Sequence, residues 1–321
     1  MKYKPIVIVA GEPNSIFSEL FLKTLQRKSF KSPIILICSK KHLIKQALFL
    51  KRKIKFNDID KKLILKKNFK YKKLNLINVD YEQQKPFDKI SSKSNKYIEK
   101  CFDIALELME CKISNKLING PISKEKFLRK KFLGITEYLA LKTNTKNFAM
   151  IIYNKKLSVS PITTHLPLKY VSKRLNKSDI INKIKLINFF WRKIFKKKLK
   201  IGITGLNPHC ESIDKFKEDK KIIQVAVNKL KKSNINIKGP LAADTIFLKN
   251  NRKNLDLIVG MYHDQVLTPM KTLFEYDAIN ITVGLPFIRI SPDHGPNEQM
   301  LGKNKSNPTS LIRAISFLDK N

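Results

Sequence analysis

The sequence predicts an α/β protein whose sheet is mostly parallel, and three observations carry that expectation. Short apolar runs alternate with segments of helical periodicity along the 321 residues, the pattern of strands joined by crossover helices. Turn residues close several of these runs, as in Gly11-Glu12-Pro13-Asn14-Ser15, Gly120-Pro121 and Gly205-Leu206-Asn207-Pro208. Histidine is scarce, at five residues, yet three of the five fall just past such runs. In open α/β sheets that carboxyl edge is where ligands bind.

Lys4 to Ala10 reads as a buried strand, and the turn after it leads into a helix with Ile16, Leu20, Phe21 and Leu25 on its apolar face. Ser32 to Cys38 is a second strand, followed by a helix from about His42. In the Lys-rich stretch 51–90, short strands are expected at 62–65 and 73–79. Ser94 to Met109 has helical periodicity, and Lys116 to Asn119 is a short strand. Gly134-Ile135-Thr136-Glu137 opens the next helix, with Thr136 near its N-cap. Phe148 to Tyr153 and Leu157 to Thr164 read as a hairpin turning at Asn154-Lys155-Lys156, an antiparallel element in a mixed sheet. A long helix from about Lys177 to Phe195 precedes the strand Lys200 to Thr204. A helix from about Ile213 to Lys231 precedes a strand at Ile235 to Gly239. Leu257 to Val259 is a strand broken at Gly260, an amphipathic piece carrying Lys271 follows, and Ile279 to Val283 is a further strand. A helix from about Thr309 to Leu318 closes the chain.

Composition narrows the function classes. Sixty-five Lys and Arg against 26 Asp and Glu leave a formal charge of +39. A basic face of that size can bind nucleic acid or an anionic membrane. Here the Lys residues are dispersed along the whole chain among Ile and Asn, as in KRKIKFNDIDKKLILKK. All three amino acids have AT-rich codons, so base composition accounts for them together. A nucleic-acid surface needs clustered cations with aromatic platforms, and the expected consequence of the charge is steering of anionic substrates instead. No apolar run reaches the roughly 18 residues of a membrane span. The apolar part of MKYKPIVIVAGEP is too short for a signal peptide. Cys38, Cys101, Cys111 and Cys210 show neither metal spacing nor a disulfide framework, which fits a cytoplasmic protein.

The candidate site residues form two sets. His165, His209 and His263 each follow a predicted strand. Three imidazoles converging at a sheet edge suit a divalent metal with a position open to substrate. Asp264, beside His263, is placed to orient a ligand or to act as a base. Lys271, Asn280 and Arg289 form an anion-handling set, since Arg offers a rigid bidentate fork and Lys a compact charge. Thr136 adds a hydroxyl at a helix N-terminus. The turn GEPNSIFSE after the first strand lacks the Gly-x-Gly-x-x-Gly of a Rossmann site. Other folds bind NAD without that fingerprint.

Eight segments, in order along nearly the whole chain, carry a resemblance: GEPNSIFSE, NGPISK, GITEYLA, PITTHLPL, GLNPH, GPLAADTIF, YHDQ and NITVGLPFIRISPDHG. Together they resemble the 4-hydroxythreonine-4-phosphate dehydrogenase family of vitamin B6 biosynthesis. The resemblance implies a two-lobed fold like that of isocitrate and isopropylmalate dehydrogenases, with an inter-lobe cleft and a homodimer. The lobes are expected at 1–128 plus 296–321 and at 129–295. It implies His165, His209 and His263 as ligands of one divalent metal (Zn, Mg or Co), with His263 reaching across the dimer. Thr136, Lys271, Asn280 and Arg289 correspond to substrate-binding positions, and Asp244 and Asp264 are candidate proton carriers. NAD or NADP is the implied cofactor, a small phosphorylated amino acid the substrate, and neither nucleic acid nor membrane a partner. Ile135 stands where the family pattern has His, and Glu12 where it has Asp. The nearest alternatives are a paralogue acting on threonate or erythronate phosphate and, from a different class, a basic anion-binding or nucleic-acid-binding protein.

Overall fold

The computed structural model describes residues 3–65, 71–128, 131–211, 217–292 and 294–320. The chain divides into two compact units, residues 1–139 with 286–321 and residues 140–285.

The first unit is built on parallel strands: β1 (Ile6–Val9), β2 (Ile34–Cys38), β3 (Asn57–Asp58), β4 (Leu74–Asn78), β5 (Lys116–Asn119) and the strand Ile288–Pro292. Their order is β3-β4-β2-β1-β5, with Ile288–Pro292 beside β5. Every residue of β1 and β2 is buried, as expected where helices cover both faces of a parallel sheet. The helix Phe17–Arg27 buries every residue from Phe17 to Thr24, so its first two turns are enclosed on all sides. From this helix Lys23 reaches Glu19 at 2.7 Å and the carbonyls of Asn304 and Ser306 at 2.9 Å. That contact fastens the C-terminal segment, whose helix Thr309–Lys320 packs Leu311, Ala314, Ile315 and Leu318 inward.

Two expectations for this unit change. Residues 62–65 belong to a short helix, Lys61–Leu65, not a strand. Asp60 starts it, accepting the Lys62 N–H on Oδ1 at 2.8 Å and the Leu63 N–H on its carbonyl at 3.1 Å; a local cap outweighs the apolar run. Ile288–Pro292 is a strand that the flanking prolines concealed, pairing Arg289 with Leu117 of β5.

In the second unit the strands are β6 (Ala149–Tyr153), β7 (Ser158–Thr163), β8 (Ile201–Thr204), β9 (Ile237–Leu241), β10 (Leu257–Tyr262) and β11 (Ile279–Val283). The order is β11-β6-β7-β10-β8-β9. β6 runs antiparallel to β7 and β11, and the other neighbours are parallel. The hairpin and mixed sheet read from the sequence are therefore present. β10 does not break at Gly260 but continues to Tyr262. The glycine is needed for packing, because a Cβ there would stand 2.4 Å from Val266 Cγ1 on the helix that follows. The helix expected from Ile213 begins outside the described residues. Its described part is a π-helical turn, Asp219–Gln224, continuing as the α-helix Val225–Lys232.

Candidate active site

The three predicted histidines follow β7, β10 and β8, which are adjacent parallel strands with β10 in the middle. His165 lies two residues past β7, and His263 is the first residue of the helix His263–Phe274. Their rings face each other with centroids 5.8 Å apart and planes inclined by 37°. Asp264 Oδ1 lies 2.7 Å from His263 Nδ1. With that nitrogen engaged, the lone pair of the neutral ring is directed to Nε2. Asp264 itself is mostly exposed, so the contact orients the ring without burying a charge.

His209 sits on an exposed loop after β8 and adopts a left-handed backbone, φ 55°, as does Cys210 at 62°. Two successive non-glycine residues in that region are costly unless the surroundings hold them. The holding groups come from the π-helical turn. Asp219, buried, accepts the N–H groups of Leu206 at 2.7 Å and Asn207 at 3.3 Å and the Asn207 side-chain amide at 2.7 Å. Glu218 accepts from Asn207 Nδ2 at 3.2 Å and from Ser172 Oγ at 2.5 Å. Gly205 leaves room for this, since a Cβ there would lie 2.5 Å from Asp219 Oδ1. Cys210 sits in the same acidic corner. Burial first, then the charges of Asp219, Asp244 and Glu211, push its thiol pKa up. Asp244 is exposed.

Lys271, half-buried, lies in the last turn of the helix that begins at His263. Asn280 lies on β11, where its amide donates to Met150 Sδ at 3.4 Å and its buried Oδ1 has no partner among the described residues.

Arg289, Thr136 and Asn119 form a separate cluster in the first unit. Arg289 is fully buried. Its Nε donates to Asn119 Oδ1 at 2.7 Å and its Nη1 to Thr136 Oγ1 at 3.3 Å. Burial lowers the guanidinium pKa to about 10, and the nearby Glu137 opposes the fall. The group stays cationic at neutral pH, a fixed charge in a low-dielectric setting where an anion is held strongly. Asn119 was not singled out by sequence reasoning; its place at the end of β5, just before Gly120-Pro121, was the available signal. Asp219 and Glu218 had no signal of that kind.

His165 and His263 are imidazole donors of the kind a divalent ion takes, and His263 is backed by a carboxylate. Among the described residues no three His, Cys, Asp or Glu side chains are grouped closely enough to hold a metal. His209 therefore does not join the His165–His263 pair within one chain. No helix among the described residues is long and apolar enough to cross a membrane.

The family model of the pyridoxal phosphate biosynthetic protein PdxA matches residues 30–318. A 4-hydroxythreonine-4-phosphate dehydrogenase from a Sulfurihydrogenibium species is 38% identical over 320 residues, covering 97% of this chain and 96% of that one. A D-threonate 4-phosphate dehydrogenase from Pectobacterium atrosepticum is 28% identical and is aligned over 98% of both chains. The crystal structure of a Klebsiella pneumoniae 4-hydroxythreonine-4-phosphate dehydrogenase matches with a TM-score of 0.84 at 27% identity, over 98% of this chain and 97% of that one. An isocitrate dehydrogenase from Methylococcus capsulatus shares the fold alone, with a TM-score of 0.51 at 8% identity over 98% of this chain and 84% of that one. Fold and relatives together define the class, an α/β oxidoreductase of the dehydrogenase type. Such an enzyme takes an NAD-type cofactor. The chain belongs to the PdxA family.

Proposed function

We propose that this chain oxidises and decarboxylates 4-phosphooxy-L-threonine to 3-amino-2-oxopropyl phosphate in vitamin B6 biosynthesis, as a metal-dependent, NAD- or NADP-linked cytoplasmic homodimer. The observation that carries the reading is that His165, His263 and His209 follow β7, β10 and β8, adjacent parallel strands, with Asp264 behind His263. The relative 38% identical to this chain bears the name of that activity, which supports it. A divalent ion (Zn, Mg or Co) held by His165 and His209, with His263 reaching in across the homodimer, would supply Lewis acidity to the substrate hydroxyl.

The remaining tasks fall to side chains. Arg289, Thr136, Lys271 and Asn280 hold the phosphate and carboxylate of the substrate. Asp264 fixes the tautomer and orientation of His263. Asp244 takes the hydroxyl proton as hydride leaves the carbinol carbon for the nicotinamide. The bond to the carboxylate then breaks, carbon dioxide departs, and the electron pair stays on the amine-bearing carbon as an enolate. Asp244 returns its proton to that carbon.

A second reading is oxidation of a related four-carbon acid phosphate, threonate or erythronate phosphate. The Pectobacterium relative named for D-threonate 4-phosphate and the presence of Ile135 in the substrate segment favour it. Purified protein supplied with 4-phosphooxy-L-threonine, NAD or NADP, and Zn, Mg or Co is expected to form reduced cofactor, and EDTA is expected to stop it. Turnover of D-threonate 4-phosphate or D-erythronate 4-phosphate in place of that substrate establishes the second reading. Absence of turnover with all three rejects both.

A further inference from the structure

We propose that Asn119 is a positioning residue for the reaction: it fixes the Arg289 guanidinium in the orientation that receives the substrate anion, an inference that rests on the substrate-binding role given to Arg289 above. Asn119 is the last residue of β5 and is buried. Strand register brings the two side chains together. Arg289, on the strand Ile288–Pro292, stands opposite Leu117 in parallel pairing. Leu117 and Asn119 are two residues apart on β5 and leave the same face of the sheet. Asn119 therefore stands one step nearer the carboxyl edge, the edge at which such sheets take ligands. Its Oδ1 accepts Arg289 Nε at 2.7 Å.

The Asn119 amide is itself held. Its Nδ2 donates to the Gly120 carbonyl at 2.8 Å. A carbonyl only accepts, so this contact dictates which end of the amide faces the guanidinium. Gly120 is fixed in turn: its N–H donates to the Val9 carbonyl at 2.8 Å, and a Cβ there would lie 2.1 Å from the Ala10 carbonyl oxygen. The end of β1 thus sets Gly120, Gly120 sets Asn119, and Asn119 sets Arg289. With Nε on Asn119 and Nη1 on Thr136 Oγ1 at 3.3 Å, the guanidinium plane is defined from two separate elements. Asn119 and Thr136 are both uncharged, so they orient the cation without neutralising it. An aspartate at position 119 would hold the same nitrogen while offsetting the charge that a phosphate or carboxylate needs.

The test is a double-substitution cycle in the full chain, read by steady-state kinetics with whichever of the three acid phosphates above the unaltered protein turns over. Asn119→Ala alone is expected to raise KM about 10-fold, the worth of one hydrogen bond to a charged group, with kcat nearly unchanged. In an Arg289→Lys background the same substitution should leave KM where it is, because a residue that acts through another is silent once that other is gone. Asn119→Asp keeps the shape and the acceptor but adds a charge, and it should raise KM as well. Equal effects of Asn119→Ala on KM in the two backgrounds overturn the proposal. A lowered melting temperature with unchanged KM also overturns it, since Asn119 would then be a structural tie only. If Asn119→Ala does not fold, Asn119→Asp decides: a raised KM supports the proposal and an unchanged KM overturns it. If the unaltered protein turns over none of the three substrates, or if Arg289→Lys alone leaves KM unchanged, the reading of Arg289 fails and this inference falls with it. The two failures are distinguishable, because the second appears before any substitution is made at Asn119.

Discussion

Acid should weaken this fold through His42 by an amount that can be worked out beforehand. The residue is 4% exposed, in the first turn of the helix Lys40–Phe49, with its ring edge-on to Tyr81 at 5.4 Å. Burial, reinforced by the neighbouring Lys45 and opposed by the Pro13 backbone, lowers its pKa from 6.5 to about 4. A base whose folded pKa is depressed is protonated first in the unfolded chain. Its contribution is fully present above pH 6.5 and is lost as the pH falls toward 4. At 1.36 kcal/mol per unit, the loss is about 2 kcal/mol at pH 5 and about 3 kcal/mol at pH 4. The perturbation is His42→Leu, similar in volume and unable to titrate. Urea unfolding of both proteins at pH 7 and pH 5 gives the stability gap at each pH. Other titrating groups are common to both chains and cancel, including those behind the +39 formal charge. The gap should move by about 2 kcal/mol in favour of the leucine variant on acidification. A gap equal at the two pH values would refute the reasoning.

Two further substitutions probe the first unit. Arg289→Lys removes the donor to Asn119 and the guanidinium fork proposed to hold the substrate anion; one charge-assisted hydrogen bond lost to that anion is worth about 1.5–3 kcal/mol, so KM for the phosphorylated substrate should rise about 10- to 100-fold. Steady-state kinetics decide this, and an unchanged KM would remove Arg289 from substrate binding. Glu12 carries the opposite pH sign to His42: burial raises its carboxyl pKa above 4.5, against the opposing contacts from the Asn14 N–H and Ser94 hydroxyl. Its destabilising charge develops as the pH rises above that value. Glu12→Gln should therefore gain stability relative to the unaltered chain between pH 4 and pH 7 in urea titrations, and a relative loss would contradict the assignment.

Much of the fold was legible because apolar periodicity is a local property. The buried runs of β1 and β2, the β6–β7 hairpin and the long helix Lys177–Phe195 all follow from it. Where a local contact competed, the pattern misled, as when Asp60 capped a helix at 61–65. The histidines show the same division. Their position just past strand ends was readable, whereas the order β7-β10-β8 that makes those strands neighbours depends on pairings between segments far apart in sequence. Within that order, the tertiary structure set His165 against His263 and left His209 on a loop held by Asp219 and Glu218. Arg289 is the clearest case. Its residue type announced an anion contact, but its complete burial comes with a hydrogen bond to Asn119, 170 residues earlier in the chain. The sequence by itself determined which chemical groups stand at the ends of which strands, since strand formation follows nearest-neighbour pattern. Which of those groups meet, and which are buried, was decided by tertiary structure alone, because strand order and desolvation are set by partners remote along the chain.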